Sequence, residues 1–103
     1  LLNGVKYMQK HHNMTFDEIV KEVVRVCKKN KVEHLSLFGS YARGTQTERS
    51  DIDFIVYGVK DIETLREEID EIMTLKKIDI FDYDEVCNQY LREDMDEYGR
   101  KIY

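Results

Sequence analysis

Proline is absent from this 103-residue chain, and neither a repeat nor a low-complexity stretch interrupts it. Linkers between domains are commonly rich in proline, glycine or polar residues, so nothing marks the start of a second domain. We therefore expect one domain over residues 15–103. We expect residues 1–14 to be an N-terminal extension that arose by truncation or in cloning.

Cysteine is scarce and poorly spaced for metal binding. Cys27 and Cys87 lie 60 residues apart, with no CxxC pair and no neighbouring Cys/His spacing. This pattern argues against a zinc site. Because both cysteines fall on apolar faces of predicted helices, we expect two buried, reduced thiols.

Long apolar runs and an excess of positive charge are also missing. No stretch approaches the roughly 18 apolar residues of a membrane helix, and no signal peptide is visible, so we expect a cytoplasmic protein without membrane contact. The 16 basic and 21 acidic residues give a net charge of −5. Nucleic-acid binding normally needs a basic surface, so a direct nucleic-acid substrate is disfavoured.

What the chain does contain is regular hydrophobic patterning. Thr15 and Glu18 form a capping-box pattern that begins a helix ending near Lys29, and Asp61 can cap a second helix. Asp84 is predicted to cap a last helix that ends near Gly99. The inward residues of this last helix would be Cys87, Tyr90, Leu91, Met95 and Tyr98.

Alternating apolar residues predict the strands between these helices. The order of elements gives an α/β (α+β) fold, with a small mixed sheet of three to four strands covered by helices. The predicted strands are Val32–Phe38, Ile52–Tyr57, Lys77–Tyr83 and a short edge strand within Arg100–Tyr103.

Two aspartates at the start of the second strand are the strongest functional signal. Asp51 and Asp53 are separated by one residue, which places them on one face about 7 Å apart. A pair of carboxylates can hold Mg²⁺, while the preceding Gly39-Ser40 turn has room for phosphates. Phosphoryl or nucleotidyl transfer is the chemistry this predicts; the simpler interpretation is a solvated acidic pair.

A third aspartate follows from strand alternation. In the third predicted strand Asp79 faces away from its isoleucine neighbours, whereas Asp82 has the opposite parity and is excluded. Three convergent carboxylates could hold two metal ions roughly 3.5 to 4 Å apart. Asp79 could also take the proton of an attacking hydroxyl as general base.

Four further residues are candidates for nucleotide binding. Gly39 permits close backbone approach to phosphate, and the Ser40 hydroxyl can donate to the β or γ phosphate. Arg43 could pair with a phosphate or with an acid of the fold, and the sequence does not choose between them. Ser50 immediately precedes the acidic pair.

Two stretches carry a family resemblance. Leu37–Gly44 (LFGSYARG) and Ser50–Val56 (SDIDFIV) resemble the signature of the minimal nucleotidyltransferases, a branch of the DNA polymerase beta superfamily. The resemblance implies the nucleotidyltransferase fold and two Mg²⁺ ions. It also implies that Asp51 and Asp53 are metal ligands, Asp79 is both ligand and base, and Gly39-Ser40 contacts the triphosphate.

The same resemblance suggests a biological role but leaves the acceptor open. MntA-like members serve as antitoxins beside a HEPN toxin, and some transfer AMP from ATP to a tyrosine of that toxin. ATP, a cognate HEPN-type toxin and a hetero-oligomer with it are therefore the expected partners. Two alternatives are an antitoxin that acts by binding alone, without catalysis, and a small-molecule adenylyltransferase.

Overall fold

The computed structural model describes residues 14–103, so the predicted N-terminal extension lies almost wholly outside the described residues. Within residues 14–103, every helix is too short or too polar to span a membrane. The elements in chain order are α1 (Phe16–Lys29), β1 (His34–Phe38), α2 (Gly39–Arg43), β2 (Ile52–Tyr57), α3 (Ile62–Asp70), β3 (Ile78–Asp82), a 3₁₀ turn (Tyr83–Glu85), α4 (Gln89–Tyr98) and β4 (Arg100–Lys101).

Two helices begin at the residues that the sequence predicts. At α1 the Glu18 amide donates to Thr15 Oγ1 at 3.1 Å, and the Thr15 amide donates to Glu18 Oε1 at 2.8 Å. At α3 the Thr64 amide donates to Asp61 Oδ1 at 3.1 Å. Each cap satisfies backbone donors that the first helical turn leaves unpaired and stabilises its helix by about 1 kcal/mol.

The four strands form one mixed sheet in the order β3-β2-β1-β4. The β1–β2 and β1–β4 pairs are antiparallel, whereas β2 and β3 run parallel. Parallel neighbours need a crossover, and α3 supplies it. The predicted strands are confirmed, with β1 and β3 each slightly shorter than expected.

The sheet buries both faces, and the two faces differ in size. The larger core lies between the sheet and helices α1 and α3, and the smaller lies under α4. Buried residues of the larger core include Ile19, Val23, Cys27, Leu35, Ile52, Phe54, Leu65 and Ile69. Those of the smaller core are Phe38, Ile55 and Met95, to which Phe81 and Leu91 add partly buried side chains.

The last helix starts later than predicted. Asn88, not Asp84, caps α4, and its Oδ1 accepts from the Leu91 amide at 3.1 Å. The Asp84 carboxylate instead accepts from the Gly58 amide at 3.0 Å, a contact across the fold that no local pattern encodes. The chain at Val86 is extended, which separates the 3₁₀ turn from α4.

This shift corrects three side-chain placements. Leu91 and Met95 face inward as predicted, but Cys87 is exposed, so only Cys27 is a buried thiol. Tyr90 is 81% exposed and Tyr98 is 42% exposed. Cys87 now precedes the helix, Tyr90 lies in its first turn, and Tyr98 is its last residue, where Arg43 packs on the ring.

The segment after α4 returns to the sheet as predicted. Arg100–Lys101 pairs with β1, and the Ile102 amide donates to the Leu35 carbonyl at 2.8 Å. The Tyr103 hydroxyl then donates to the Val32 carbonyl at 3.0 Å. These contacts cover the β1 edge of the sheet.

Candidate active site

Asp53 and Asp79 lie directly beside each other on adjacent strands. They are register partners in the parallel β2–β3 pair and point to the α4 face of the sheet. The charge of Asp79 is close enough to act on the carboxyl group of Asp53. Strand alternation therefore placed Asp79 correctly, and it also excluded Asp82 correctly: Asp82 is buried and accepts from the Asp84 amide at 3.2 Å.

Burial and the crowding of negative charge change the ionisation of Asp53. Burial first, and then the charges of Asp79 and Asp51, raise the pKa of Asp53 to about 6 from an ordinary value of 3.8. Lys77 acts in the opposite direction. A carboxyl group held against two like charges favours its protonated form until a cation neutralises the cluster.

Asp51 completes the acidic group from outside the strand. It is exposed and lies one residue before β2, and its charge reaches Asp53. Ser50, just before it, uses its hydroxyl within the preceding turn, where Oγ accepts from the Thr47 amide at 2.8 Å. The nucleotide contact predicted for Ser50 stays a prediction.

Gly39 adjoins the acids because β1 ends against them. Phe38 is the register partner of Asp53, and Gly39 follows it with a φ of +65°. A Cβ at position 39 would overlap Asp53 Oδ2. Glycine is thus required here twice, by the backbone angle and by the neighbouring carboxylate. The half-buried Ser40 comes next, in the first turn of the five-residue helix α2.

Arg43, at the end of α2, packs on α4. Its guanidinium carbon lies 4.3 Å from the centre of the Tyr98 ring. The sequence left Arg43 between a phosphate and an acid of the fold, and the structure places it on an aromatic ring. Stacking of this kind still leaves guanidinium edges able to donate hydrogen bonds.

Two lysines that sequence reasoning missed flank the site. Lys77 Nζ lies 3.7 Å from Asp79 Oδ1, and Lys76 reaches back to the loop before Asp51. The available signal was their position, immediately before the strand that carries Asp79. A shallow groove of about 320 Å³ runs beside the same strand, lined by residues that include Arg66, Asp79 and Phe81.

The acids suit a hard cation in their chemistry, although their side chains are not gathered as a ligand set. Carboxylate oxygens are the ligands that Mg²⁺ prefers. Among residues 14–103, however, no three His, Cys, Asp or Glu side chains are placed to hold one metal ion together.

Two aspartates are register partners on a mixed sheet, and a glycine turn follows the adjoining strand. This arrangement is typical of a nucleotidyltransferase type of α/β protein. The family model described as "Polymerase beta, Nucleotidyltransferase" matches residues 21–103. The chain belongs to this family and is a nucleotidyltransferase.

Relatives from Methanocaldococcus jannaschii agree with this assignment. One is 35% identical over 78 residues, spanning 71% of this chain and 83% of the relative. Another is 36% identical over 89 residues, spanning 76% of this chain and 89% of the relative. Both are named "Putative protein adenylyltransferase".

Solved structures share the fold at lower identity. A crystal structure of a toxin-antitoxin with AMP-PNP superposes with a TM-score of 0.61 at 23% identity, covering 81% of this chain and 71% of that chain. A mutant of the toxin-antitoxin MntA-HpeT gives a TM-score of 0.60 at 23% identity, covering 81% and 70%. The predicted nucleotidyltransferase fold is confirmed.

Proposed function

We propose that this nucleotidyltransferase transfers AMP from ATP to a tyrosine hydroxyl of a cognate HEPN-type toxin and thereby acts as an antitoxin. The observation that carries the proposal is the side-by-side placement of Asp53 and Asp79 next to the Gly39 turn. In this arrangement carboxylates adjoin a backbone that a triphosphate can approach closely.

The reaction needs a cation and a base. Asp51, Asp53 and Asp79 would hold Mg²⁺, which when bound would neutralise triphosphate charge and lower the pKa of the attacking hydroxyl. Asp79 accepts the hydroxyl proton. The acceptor oxygen then bonds to the α-phosphorus, the bond from that phosphorus to the bridging oxygen breaks, and pyrophosphate leaves.

The position of Asp79 also suits a large acceptor. Its strand, β3, is at the edge of the sheet, and the Asp79 side chain is 35% exposed. A protein side chain can therefore approach from the open edge while the nucleotide lies toward Gly39. A net charge of −5 gives no basic footprint for nucleic acid, so a protein acceptor is favoured, and we propose that the reaction takes place in the cytoplasm.

The names of similar proteins support the same acceptor class. The M. jannaschii relatives are named for protein adenylylation, and the structures that share the fold are toxin-antitoxin complexes, one with AMP-PNP. We therefore propose ATP and the toxin as partners of this chain, and a hetero-oligomer of this chain with the toxin.

Transfer from labelled ATP tests the proposal. The protein is incubated with ATP labelled at the α-phosphate, Mg²⁺ and the purified toxin, and label on the toxin is measured with and without EDTA. We expect metal-dependent labelling that disappears with Asp51→Asn or Asp53→Asn and when the acceptor tyrosine is replaced by phenylalanine. Equal labelling by wild type and both Asp variants would refute it.

One observation favours a second candidate, inhibition by binding alone. Within the described residues the acids are not gathered around a common metal position, and an inactive site would show the same arrangement. A triple Asn variant at positions 51, 53 and 79 separates the two functions in cells. Continued protection from the toxin by this variant would favour binding, whereas lost protection together with retained toxin binding would favour catalysis.

A further inference from the structure

Lys76 and Lys77 are adjacent in sequence but face opposite ways. Lys77 is exposed and approaches Asp79, whereas Lys76 is half-buried and turns toward the loop before β2. The Lys76 ammonium donates to the carbonyl of Glu48 and, at 3.4 Å, to the carbonyl of Ser50. Hydrogen bonds from a charged donor are about twice as strong as neutral ones, so Lys76 joins this loop to the start of β3.

The same ammonium lies near the other half of the site. Lys76 Nζ is 5.9 Å from the centre of the Tyr41 ring, at the outer limit of a cation–π contact. Tyr41 belongs to α2, directly after Ser40, and its ring stacks on Phe16 of α1 at 4.8 Å. One side chain therefore bonds to the loop that leads to Asp51 and also lies beside α2, the helix that contains Gly39 and Ser40.

Asp51 needs such a contact more than the other acids do. Asp53 and Asp79 are held by strand pairing, but Asp51 precedes β2 and is exposed. Local hydrogen bonds close the turn at 47–50, for example from the Ser50 amide to the Thr47 carbonyl at 3.1 Å. Those bonds shape the turn, and Lys76 ties it to the sheet and to α2.

We infer that Lys76 is a positioning residue: its ammonium holds the loop at 47–50 against β3 and α2, and so sets where Asp51 stands relative to Asp53 and the Gly39-Ser40 turn. Only the catalytic role given to Asp51 rests on the proposed function. The structural part concerns the loop itself and can be measured without any transfer reaction.

Three variants separate positioning from general stability. Lys76→Met keeps the aliphatic stem and removes the donor, Lys76→Arg keeps a charged donor, and Lys21→Met is a matched control on the exposed side of α1. Backbone hydrogen exchange is measured over residues 47–52. We expect exchange about tenfold faster in Lys76→Met, near wild type in Lys76→Arg and unchanged in Lys21→Met.

Titration with Mn²⁺ gives a second readout that general destabilisation would not reproduce. If Lys76 positions Asp51, Lys76→Met weakens Mn²⁺ binding severalfold at a temperature where it remains folded, and Lys76→Arg restores it. Lys76→Met that matches Lys21→Met in both exchange and Mn²⁺ affinity would overturn the inference.

A measurement on the wild type covers the case in which Lys76→Met does not fold. The side-chain ammonium protons of Lys76 should exchange with water more slowly than those of exposed Lys77, because Lys76 is held on two carbonyls. Equal rates would count against the inference. If the Lys76 results hold but no protein is labelled by ATP, the positioning role stands and the proposed function fails.

Discussion

Gly39 packs so closely against the Asp53 side chain that there is no room for a side chain at position 39. A Cβ at position 39 would overlap Asp53 Oδ2 and lie 3.2 Å from its Cγ. The glycine turn and the acidic strand are therefore one structural unit. A substitution in either one is therefore expected to displace the other.

Replacing Gly39 by alanine should damage both the fold and the site. The φ of +65° costs a non-glycine residue about 1–2 kcal/mol, and the overlap displaces the Asp53 carboxylate in addition. Gly44→Ala is the matched control, because its φ is +75° and nothing lies within 4 Å of the added Cβ. Urea unfolding and AMP transfer are measured on both. We expect Gly44→Ala to lose stability but keep activity, and a fully active Gly39→Ala would contradict this.

Asp79→Asn should lower the rate of AMP transfer by about 100-fold or more, because a positioned general base contributes roughly 10²–10⁴-fold. Asp82→Asn is the control on the same strand. Its side chain lies on the other face, and an asparagine oxygen can still accept from the Asp84 amide. Comparable losses in both variants would mean that stability, rather than position on the sheet, explains the effect.

Asp53 should make the metal-free protein less stable as pH rises. Its pKa when folded is about 6, above the ordinary 3.8, so the folded state binds the proton more tightly. The stabilisation from Asp53 is therefore complete below about pH 4 and lost as pH rises through 6. Urea unfolding with EDTA between pH 4 and 7.5 checks this against Asp53→Asn, whose curve should fall less steeply. Parallel curves would show that Asp53 titrates normally.

The stacking of Arg43 on Tyr98 should contribute modestly to stability. A cation–π contact at a partly exposed position is worth about 0.5–1 kcal/mol. Tyr98→Phe keeps the ring and should unfold like wild type, whereas Tyr98→Ala should lower the free energy of unfolding by about that amount. The KM for ATP is then measured on Arg43→Gln. An increased KM would show that the same guanidinium also contacts phosphate, and an unchanged KM would assign Arg43 to packing alone.

The two thiols should react very differently with iodoacetamide. Cys87 is exposed, whereas burial raises the pKa of Cys27 to about 12. Because the thiolate is the reactive form, Cys87 should be alkylated in the folded protein and Cys27 only after unfolding. Mass spectrometry of peptides from native and urea-treated protein distinguishes the sites. Equal native labelling would place Cys27 outside the core.

Local patterns predicted most of the fold because its signals are local. Thr15 and Asp61 cap helices through contacts three residues away, and alternation assigns both Asp79 and Asp82 to the correct faces. The predicted start of α4 was wrong because of a long-range contact. Asp84 resembles a helix cap in sequence, but its carboxylate accepts a hydrogen bond from the Gly58 amide.

The candidate site shows the same division. Its acids and glycine were found from spacing, since strands fix side-chain direction with a period of two. The contact of Lys76 with the loop before Asp51 was not found, because it depends on where α3 returns the chain. Arg43 was left undecided for a similar reason, as its ring partner lies in the later helix α4.

The parallel pairing of β2 and β3 has a consequence for how the protein folds. Parallel strands cannot pair until the intervening helix has closed a long loop, so they tend to form late. The carboxylates of Asp53 and Asp79 meet only in that pairing. Their repulsion is therefore absent from the unfolded chain and arises when β3 docks on β2, so dissolved cations should accelerate this docking step.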